Sequence, residues 1–264
     1  MERDNSVLSL NGICKSFGGL QVLNEVDLSL AQDEIVGLIG PNGAGKSTLF
    51  NIITSIYEPD SGDVYLRGQK ITCLAPHKIC RMGISRTFQL VKTFMGMTVL
   101  ENVMSGAYTR TNMDIFRTFF HAPFISTNQE KNIRRRALEL LDLVGLTELA
   151  ERWVKDLVWV ERQLIQIARA LAAEPTLLLL DEPTGGMGSE ESIKVENIIH
   201  KVREEMDITI ILVAHDMRIV TTISDWITVI NFGEKIKEGT PEQVKNDPKV
   251  LEAYLGTEEH FIKD

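Results

Sequence analysis

Residues 34–49 read Glu34-Ile35-Val36-Gly37-Leu38-Ile39-Gly40-Pro41-Asn42-Gly43-Ala44-Gly45-Lys46-Ser47-Thr48-Leu49. An apolar run comes first, a glycine-rich turn follows, and a helical pattern begins near Lys46. This order predicts a strand, a loop and a helix N-terminus, which is the arrangement of a phosphate-binding loop. The stretch therefore predicts a site for the terminal phosphates of a nucleotide.

The residue types in this loop suit phosphate chemistry. Gly40, Gly43 and Gly45 lack a Cβ, so successive backbone N–H groups can turn inward around an anion. The helix N-terminus adds unpaired N–H groups, the Lys46 ammonium can reach the β- and γ-phosphates, and the Ser47 hydroxyl can bind Mg²⁺. The residues predicted to bind the nucleotide are Gly40, Pro41, Asn42, Gly43, Ala44, Gly45, Lys46, Ser47 and Thr48.

Composition limits the class of protein. The chain has 264 residues, 44% of them hydrophobic, which suffices for one large domain or for one core with an inserted subdomain. A net charge of −9 argues against a nucleic-acid partner. No apolar run approaches the roughly 20 residues of a membrane span, and three cysteines without metal-ligand spacing indicate reduced thiols. We therefore expect a cytoplasmic protein that would act at a membrane only through another protein.

Two kinds of strand are predicted around a helical region. Residues 7–15 and 22–30 alternate polar and apolar side chains, which indicates an antiparallel pair. Residues 176–180 and 208–214 are almost wholly apolar, as in strands of a parallel sheet buried on both faces. Between these groups, residues 91–160 form a helical insertion that opens its helices with capping-box patterns. Its aromatic connection fits either a subdomain core or an exposed contact surface.

Polar side chains stand at the ends of the predicted strands, where α/β sheets place their sites. Hydrolysis of a γ-phosphate needs a metal, charge neutralisation and a positioned water. Asp181 can hold Mg²⁺ through its water shell, and Glu182 can orient or deprotonate the attacking water. Gln89 can ligate the metal or the water, and His215 can contact the γ-phosphate. A single histidine is more often structural, but its place at a strand end favours function.

The aromatic residue Phe17 lies in the connection between the first two strands. Its position alone leaves two interpretations open, packing in the core or stacking on a nucleobase.

These segments, in this order, resemble the ATP-binding subunit of ABC transporters. The matching segments are residues 40–48 as Walker A, Gln89 as the Q-loop, residues 177–181 as Walker B followed by Glu182, and His215 as the switch histidine. The resemblance implies ATP and Mg²⁺ as cofactors and places Phe17 at the adenine-stacking position.

The resemblance also implies the fold. It is an α/β, P-loop NTPase (RecA-like) core with an N-terminal antiparallel β subdomain and an inserted α-helical subdomain. Residues 1–264 would form one nucleotide-binding domain. The core with its β subdomain would comprise residues 1–90 and 161–264, and the helical subdomain with the signature segment would comprise residues 91–160.

Narrower features are similar to the larger ATPase of branched-chain amino acid importers. They are Arg86-Thr87-Phe88-Gln89, the insertion at 116–136, and the tail at 238–241 and 246–256. This implies integral-membrane permease partners, an indirect link to a solute-binding protein, and a place on the cytoplasmic face of the membrane. The alternatives are the ATPase of another transport system, a soluble ABC ATPase of DNA repair or translation, and a non-hydrolysing regulatory cassette.

Two segments depart from the family pattern. Where the family has Leu-Ser-x-Gly-Gln/Glu, this chain has Leu157-Val158-Trp159-Val160-Glu161. Val158 has no hydroxyl, and the Cβ of Val160 disfavours close approach to a phosphate and a positive φ. Losing a hydrogen bond to a charged group costs about 1.5–3 kcal/mol. In the D-loop, Gly188 stands where the family usually has Asp or Asn.

Both departures belong to the site that this chain would complete for an opposite subunit. We therefore hypothesise a heterodimer with a second, related ATPase subunit. The alternative is a homodimer that tolerates the changes, because a valine N–H still donates and the helix dipole remains.

Overall fold

Two β-sheets carry the fold, one antiparallel and one mainly parallel. The computed structural model describes residues 6–88, 93–108, 128–214 and 216–258, the last four by their backbone alone. The strands are β1 (Ser6–Phe17), β2 (Leu20–Ala31), β3 (Ile35–Ile39), β4 (Ser61–Leu66), β5 (Gln69–Lys70), β6 (Ile84–Arg86), β7 (Leu177–Asp181), β8 (Thr209–Val213), β9 (Trp226–Asn231) and β10 (Glu234–Gly239).

The antiparallel sheet has the strand order β2-β1-β4-β5. Strands β1 and β2 pair as a hairpin in which Leu10 faces Leu28 and Phe17 faces Leu20. This confirms the antiparallel pair predicted before the phosphate loop. A second hairpin, formed by β4 and β5, belongs to the same sheet, because β4 pairs with the other edge of β1.

The second sheet has the order β10-β9-β3-β8-β7-β6, and all its neighbours are parallel except β10 and β9. Every residue of β3, β7 and β8 is buried. Leu178 and Leu180 pack into one hydrophobic cluster, whereas Leu177 and Leu179 pack into another on the opposite face. The prediction of strands buried on both faces is confirmed. Because β3, β8 and β7 are adjacent and parallel, the residues that follow them share one edge.

Helices cover the faces of this sheet. They are α1 (Lys46–Ile53), α2 (Pro76–Arg81), α3 (Val99–Ala107), α4 (Asn128–Leu143), α5 (Trp159–Leu171), α6 (Ser189–Met206), α7 (Met217–Ile223), α8 (Pro241–Lys245) and α9 (Pro248–Glu258). Thr98 and Glu101 cap α3 reciprocally, at 3.2 and 2.8 Å, as the sequence predicts. Thr127, the first residue of the second predicted capping pattern, and the aromatic connection at 116–124 lie outside the described residues.

Two hydrophobic clusters hold these layers together. One contains α1, the antiparallel sheet and one face of the parallel sheet, with Phe50 fully buried at its centre. The other joins the opposite face of the parallel sheet to α3, α4, α5, α6 and α7. The helices of the second cluster are thus packed against the parallel sheet, which contains β7. None of the described helices is both long and apolar enough to cross a membrane.

Candidate active site

The phosphate loop connects β3 to α1 at the shared edge of the sheet. β3 ends at Ile39, α1 begins at Lys46, and Gly45 caps the helix with a left-handed φ of 105°. Gly40 has a φ of 153°, and a Cβ at this position would overlap the Ile230 carbonyl oxygen. Glycine is therefore required at position 40 by space as well as by backbone conformation.

Lys46 lies at the centre of this loop and is only 5% exposed. Its ammonium donates to the carbonyl oxygens of Gly40 at 2.6 Å and Pro41 at 2.8 Å. Burial lowers the pKa of Lys46, while the carboxylates of Glu182 and Asp181 act in the opposite direction and favour the charged form. The cation therefore faces two carboxylates from the end of β7.

A cavity of about 420 Å³ opens over the loop. It is lined by Val22, Asn42, Gly43, Ala44, Gly45, Lys46, Ser47, Thr48 and Glu182. The structure thus brings seven of the nine loop residues predicted to bind the phosphates, together with the predicted catalytic carboxylate, to one cavity. Gly40 and Pro41 lie beneath it as the acceptors of Lys46.

Asp181, the last residue of β7, presents two different carboxylate oxygens. Oδ2 accepts a hydrogen bond from Arg86 Nη2 at 2.7 Å. Oδ1 is buried and has no hydrogen-bond partner among the described residues. A buried charged oxygen without a partner indicates a missing cationic or water ligand. Ser47, in the first turn of α1, is exposed. An alcohol and a carboxylate are oxygen donors of the kind that Mg²⁺ prefers, so these residues fit the predicted ion.

Glu182 follows β7 in a left-handed conformation, with a φ of 49°. Its N–H donates to the Val213 carbonyl at 2.9 Å, and its own carbonyl accepts from Gly185 N at 3.0 Å. Strained backbone of this kind is concentrated at functional sites. Glu182 is half-buried and lines both the phosphate cavity and a second cavity of about 310 Å³.

Two predicted catalytic residues, Gln89 and His215, lie outside the described residues. Ala214 and Asp216, which flank His215 in sequence, line the second cavity together with Glu182.

Phe17 ends β1 and is 41% exposed. Its ring contacts Tyr57 edge-on at 5.2 Å, and the Lys15 ammonium lies 5.4 Å from its centre. Phe17 is therefore a partly open aromatic surface, but it does not line the phosphate cavity. Its assignment to an adenine base stays a prediction.

The segment aligned with the family signature begins α5. Apolar residues recur at helical spacing from Leu164 to Leu171 and predict a helix over residues 161–173. In the structure this helix begins two residues earlier, at Trp159, with Val158 as the cap residue. Val160 is therefore helical, and it is not among the residues with a positive φ. Val158 is 59% exposed, and Glu161 accepts from its N–H at 3.0 Å. Trp159 Nε1 donates to the Gly185 carbonyl at 3.2 Å, linking this segment to the loop after Glu182.

Gly188, the D-loop position, caps α6 with an extended backbone, φ −71° and ψ 167°. Its N–H donates to Glu191 Oε2 at 3.2 Å. Any residue can adopt this conformation, so the backbone does not demand glycine at position 188.

The sequence predicts no role in this site for two residues that the structure places near it. From the sequence, Arg86 is only a member of the motif at 86–89, and Tyr254 is only a member of the tail at 246–256. The Gly40 backbone N–H lies near the Tyr254 phenol and lowers its pKa, but burial outweighs this effect and raises the pKa of Tyr254 to about 12. The C-terminal helix α9 therefore reaches the first glycine of the phosphate loop.

Comparison with known proteins places this geometry in a family. Residues 23–185 match the ABC transporter family, and residues 234–260 match the branched-chain amino acid ATP-binding cassette transporter family. The chain is 40% identical to the high-affinity branched-chain amino acid transport ATP-binding protein LivG of Escherichia coli (strain K12), over 95% of this chain and 98% of LivG.

Solved structures of ATP-binding cassettes are also similar to this chain. The ADP conformation of MJ1267, an ATP-binding cassette of an ABC transporter, is 31% identical with a TM-score of 0.83, covering 96% of this chain and all of that one. The dimeric cassette MJ0796, bound to ADP and Pi, is 27% identical with a TM-score of 0.75, covering 89% of this chain and 98% of that one. The predicted α/β fold of P-loop NTPases is thus confirmed. The chain belongs to the ABC transporter family of ATP-binding proteins, which are ATPases, and within it to the branched-chain amino acid group.

Proposed function

We propose that this chain is the ATP-hydrolysing motor subunit of an importer for branched-chain amino acids. The observation that carries the proposal is the meeting of Lys46, Asp181 and Glu182 at one edge of the sheet, around the phosphate loop. The substrate class rests on the likeness to LivG over 98% of its length and on the C-terminal match at residues 234–260.

The described residues divide the chemistry among them. Backbone N–H groups of the loop and Lys46 would neutralise the β- and γ-phosphates of ATP. Ser47 and Asp181 would hold Mg²⁺, which, when bound, supplies positive charge to the phosphate oxygens. Glu182 would orient and deprotonate the attacking water. Gln89 and His215, predicted to assist, complete the proposal from sequence.

Replacing Glu182 with Gln tests the hydrolytic role. The amide keeps the size of the side chain but removes its basicity, so ATP binding should persist while turnover falls by a factor of about 10² or more. Binding is measured with a fluorescent ATP analogue and turnover by phosphate release. A regulatory cassette that never hydrolyses ATP would instead show no turnover in the unaltered chain.

A second, related ATPase subunit is proposed as the partner in the dimer. MJ0796 forms a dimer, and in such an arrangement the segment 158–161 would face the partner's nucleotide. The missing hydroxyl of Val158 supports an asymmetric pair. The helical conformation of Val160 supports the homodimer alternative, because it leaves the N-terminal N–H groups of α5 in place.

The two pairings differ in a simple measurement. ATP turnover is compared for this chain alone and for mixtures with candidate second subunits at equal total concentration. The heterodimer predicts low turnover for each chain alone and a marked rise on mixing. Brisk, cooperative turnover by the pure chain would favour the homodimer.

An apolar groove of about 530 Å³ is the proposed contact for the permease on the cytoplasmic face of the membrane. It lies between α2 and β6 on one side and α3 and α5 on the other, and its lining includes Ile79, Phe88, Phe94 and Ala170. Phe94 is half exposed there. The groove thus joins the proposed ATP-binding core to the proposed helical subdomain, 91–160. Substrate recognition would reside in the permease and its solute-binding protein.

A further inference from the structure

Arg86 connects the groove to the carboxylate of Asp181. It is the last residue of β6, and its parallel register with β7 sets it opposite Leu179, two residues before Asp181. Its side chain is only 8% exposed, and that of Asp181 only 4%. The ion pair is therefore shielded from solvent, where a charge requires its partner.

Four groups fix the guanidinium in one orientation. Nη2 donates to Asp181 Oδ2 at 2.7 Å, and Nη1 donates to Asn51 Oδ1 on α1 at 2.7 Å. The rings of Phe50 and Phe88 lie 5.4 and 5.3 Å from its central carbon. A planar fork held by two acceptors and two aromatic rings has little rotational freedom.

This arrangement determines which oxygen of Asp181 remains available. Oδ2 is occupied by Arg86, whereas Oδ1 is buried and has no hydrogen-bond partner in the described part of the chain. Partners behind a metal ligand orient it and adjust its charge, and their loss weakens metal binding.

We propose that Arg86 is a positioning residue, which holds Asp181 by Oδ2 so that Oδ1 faces the Mg²⁺ of the bound nucleotide. The inference rests on the proposed function, because it concerns the metal used in ATP hydrolysis. It goes beyond that function by assigning a residue of the groove to the metal site.

The test separates metal-dependent from metal-independent binding. Dissociation constants of a fluorescent ATP analogue are measured in EDTA and in excess Mg²⁺ for the unaltered protein, Arg86→Met and Arg86→Lys, with thermal unfolding as a check of folding. Arg169→Met is the matched control, because Arg169 also lines the groove and lies 5.5 Å from the Phe94 ring but is not a partner of Asp181.

The expected result is specific to Mg²⁺. In Arg86→Met, affinity in EDTA should stay within about twofold of the unaltered protein, while the gain on adding Mg²⁺ falls by roughly 10- to 100-fold. Arg86→Lys keeps the charge but not the planar fork, so its gain in affinity on adding Mg²⁺ should lie between those of Arg86→Met and the unaltered protein. Arg169→Met should show the same gain in affinity as the unaltered protein. Should Arg86→Met not fold, Arg86→Gln is held to the same criterion.

The inference would be overturned by a folded Arg86→Met variant whose affinity for the ATP analogue rises with Mg²⁺ as much as that of the unaltered protein. It would also be overturned if that variant lost the same affinity for the analogue with and without Mg²⁺. If the unaltered protein itself gains nothing from Mg²⁺, it is the proposed function that fails.

Discussion

The carboxylate of Glu161 accepts a hydrogen bond from the backbone N–H of Val158 at 3.0 Å. This is one half of a capping box, and the side chain of Val158 cannot supply the other half because it has no acceptor. The segment that departs most from its family is thus also an incompletely capped helix N-terminus.

Replacing Val158 with Ser should complete the cap. The φ of −77° and ψ of 167° at this position suit a serine cap, and the exposed side chain can be shortened without leaving a cavity. The free energy of unfolding should rise by about 1 kcal/mol, measured by urea denaturation. If the missing hydroxyl also weakens a site across the dimer, ATP turnover by the pure chain should rise as well.

Val158→Ala is the control for Val158→Ser, because it removes the same methyl groups without adding an acceptor. Equal stability of the two variants would contradict the capping argument. A stabilised serine variant with unchanged turnover would contradict the link to the partner's site.

Replacing Gly40 with Ala should abolish nucleotide binding. The new Cβ would overlap the Ile230 carbonyl oxygen, so the loop or β9 must move. Gly68→Ala is a matched control, because Gly68 also has a left-handed φ of 75° but has open space around it. The control should lose only about 1–2 kcal/mol of stability and keep its affinity for ATP. Retention of ATP binding by the Gly40 variant, measured by calorimetry, would show that the loop can adjust.

Replacing Tyr254 with Phe should weaken the binding of ATP. The variant loses the buried hydroxyl that lies near the Gly40 backbone N–H. Nucleotide affinity should fall severalfold, because Gly40 begins the phosphate loop. Calorimetric titration of both proteins with ATP measures this loss.

The same substitution has a pH signature. Since the pKa of Tyr254 is raised to about 12 in the folded chain from 10.0, the folded state holds this proton more tightly than the unfolded state. Its contribution is complete below pH 10 and is lost as pH rises towards 12. The stability of the unaltered protein relative to Tyr254→Phe should therefore fall across this interval. Parallel stability curves would contradict the buried position of the phenol.

Local sequence predicts the parts of this site that depend on near neighbours. Residues 40–48 follow one another in the loop, so their types alone indicate phosphate binding. Asp181 and Glu182 follow a wholly apolar strand, and the rule that sites lie at strand ends finds them. Thr98 and Glu101 are three residues apart, and their reciprocal cap forms as expected.

Long-range contacts could not be predicted in the same way. The pairing of Arg86 with Asp181 exists only because β6 lies beside β7 in parallel register. The approach of Tyr254 to Gly40 depends on where α9 packs, which no local pattern specifies. The helix predicted from Glu161 begins two residues earlier in the structure, at Trp159, because neither Val158 nor Trp159 is a typical capping residue. The start is instead marked by the carboxylate of Glu161, which accepts from the N–H of Val158.

The turn between β9 and β10 holds the phosphate loop in place, so the loop can become rigid only after this later part of the chain has been synthesised. Gly233 N donates to the Ala44 carbonyl at 3.1 Å, and Gly233 O accepts from Asn24 N at 2.9 Å, so this turn fastens the loop to the antiparallel sheet. A ribosome releases Ala44 long before Gly233. The nascent chain should therefore carry the complete phosphate-binding sequence for most of its translation without a rigid loop, and become competent for ATP only after this hairpin has emerged.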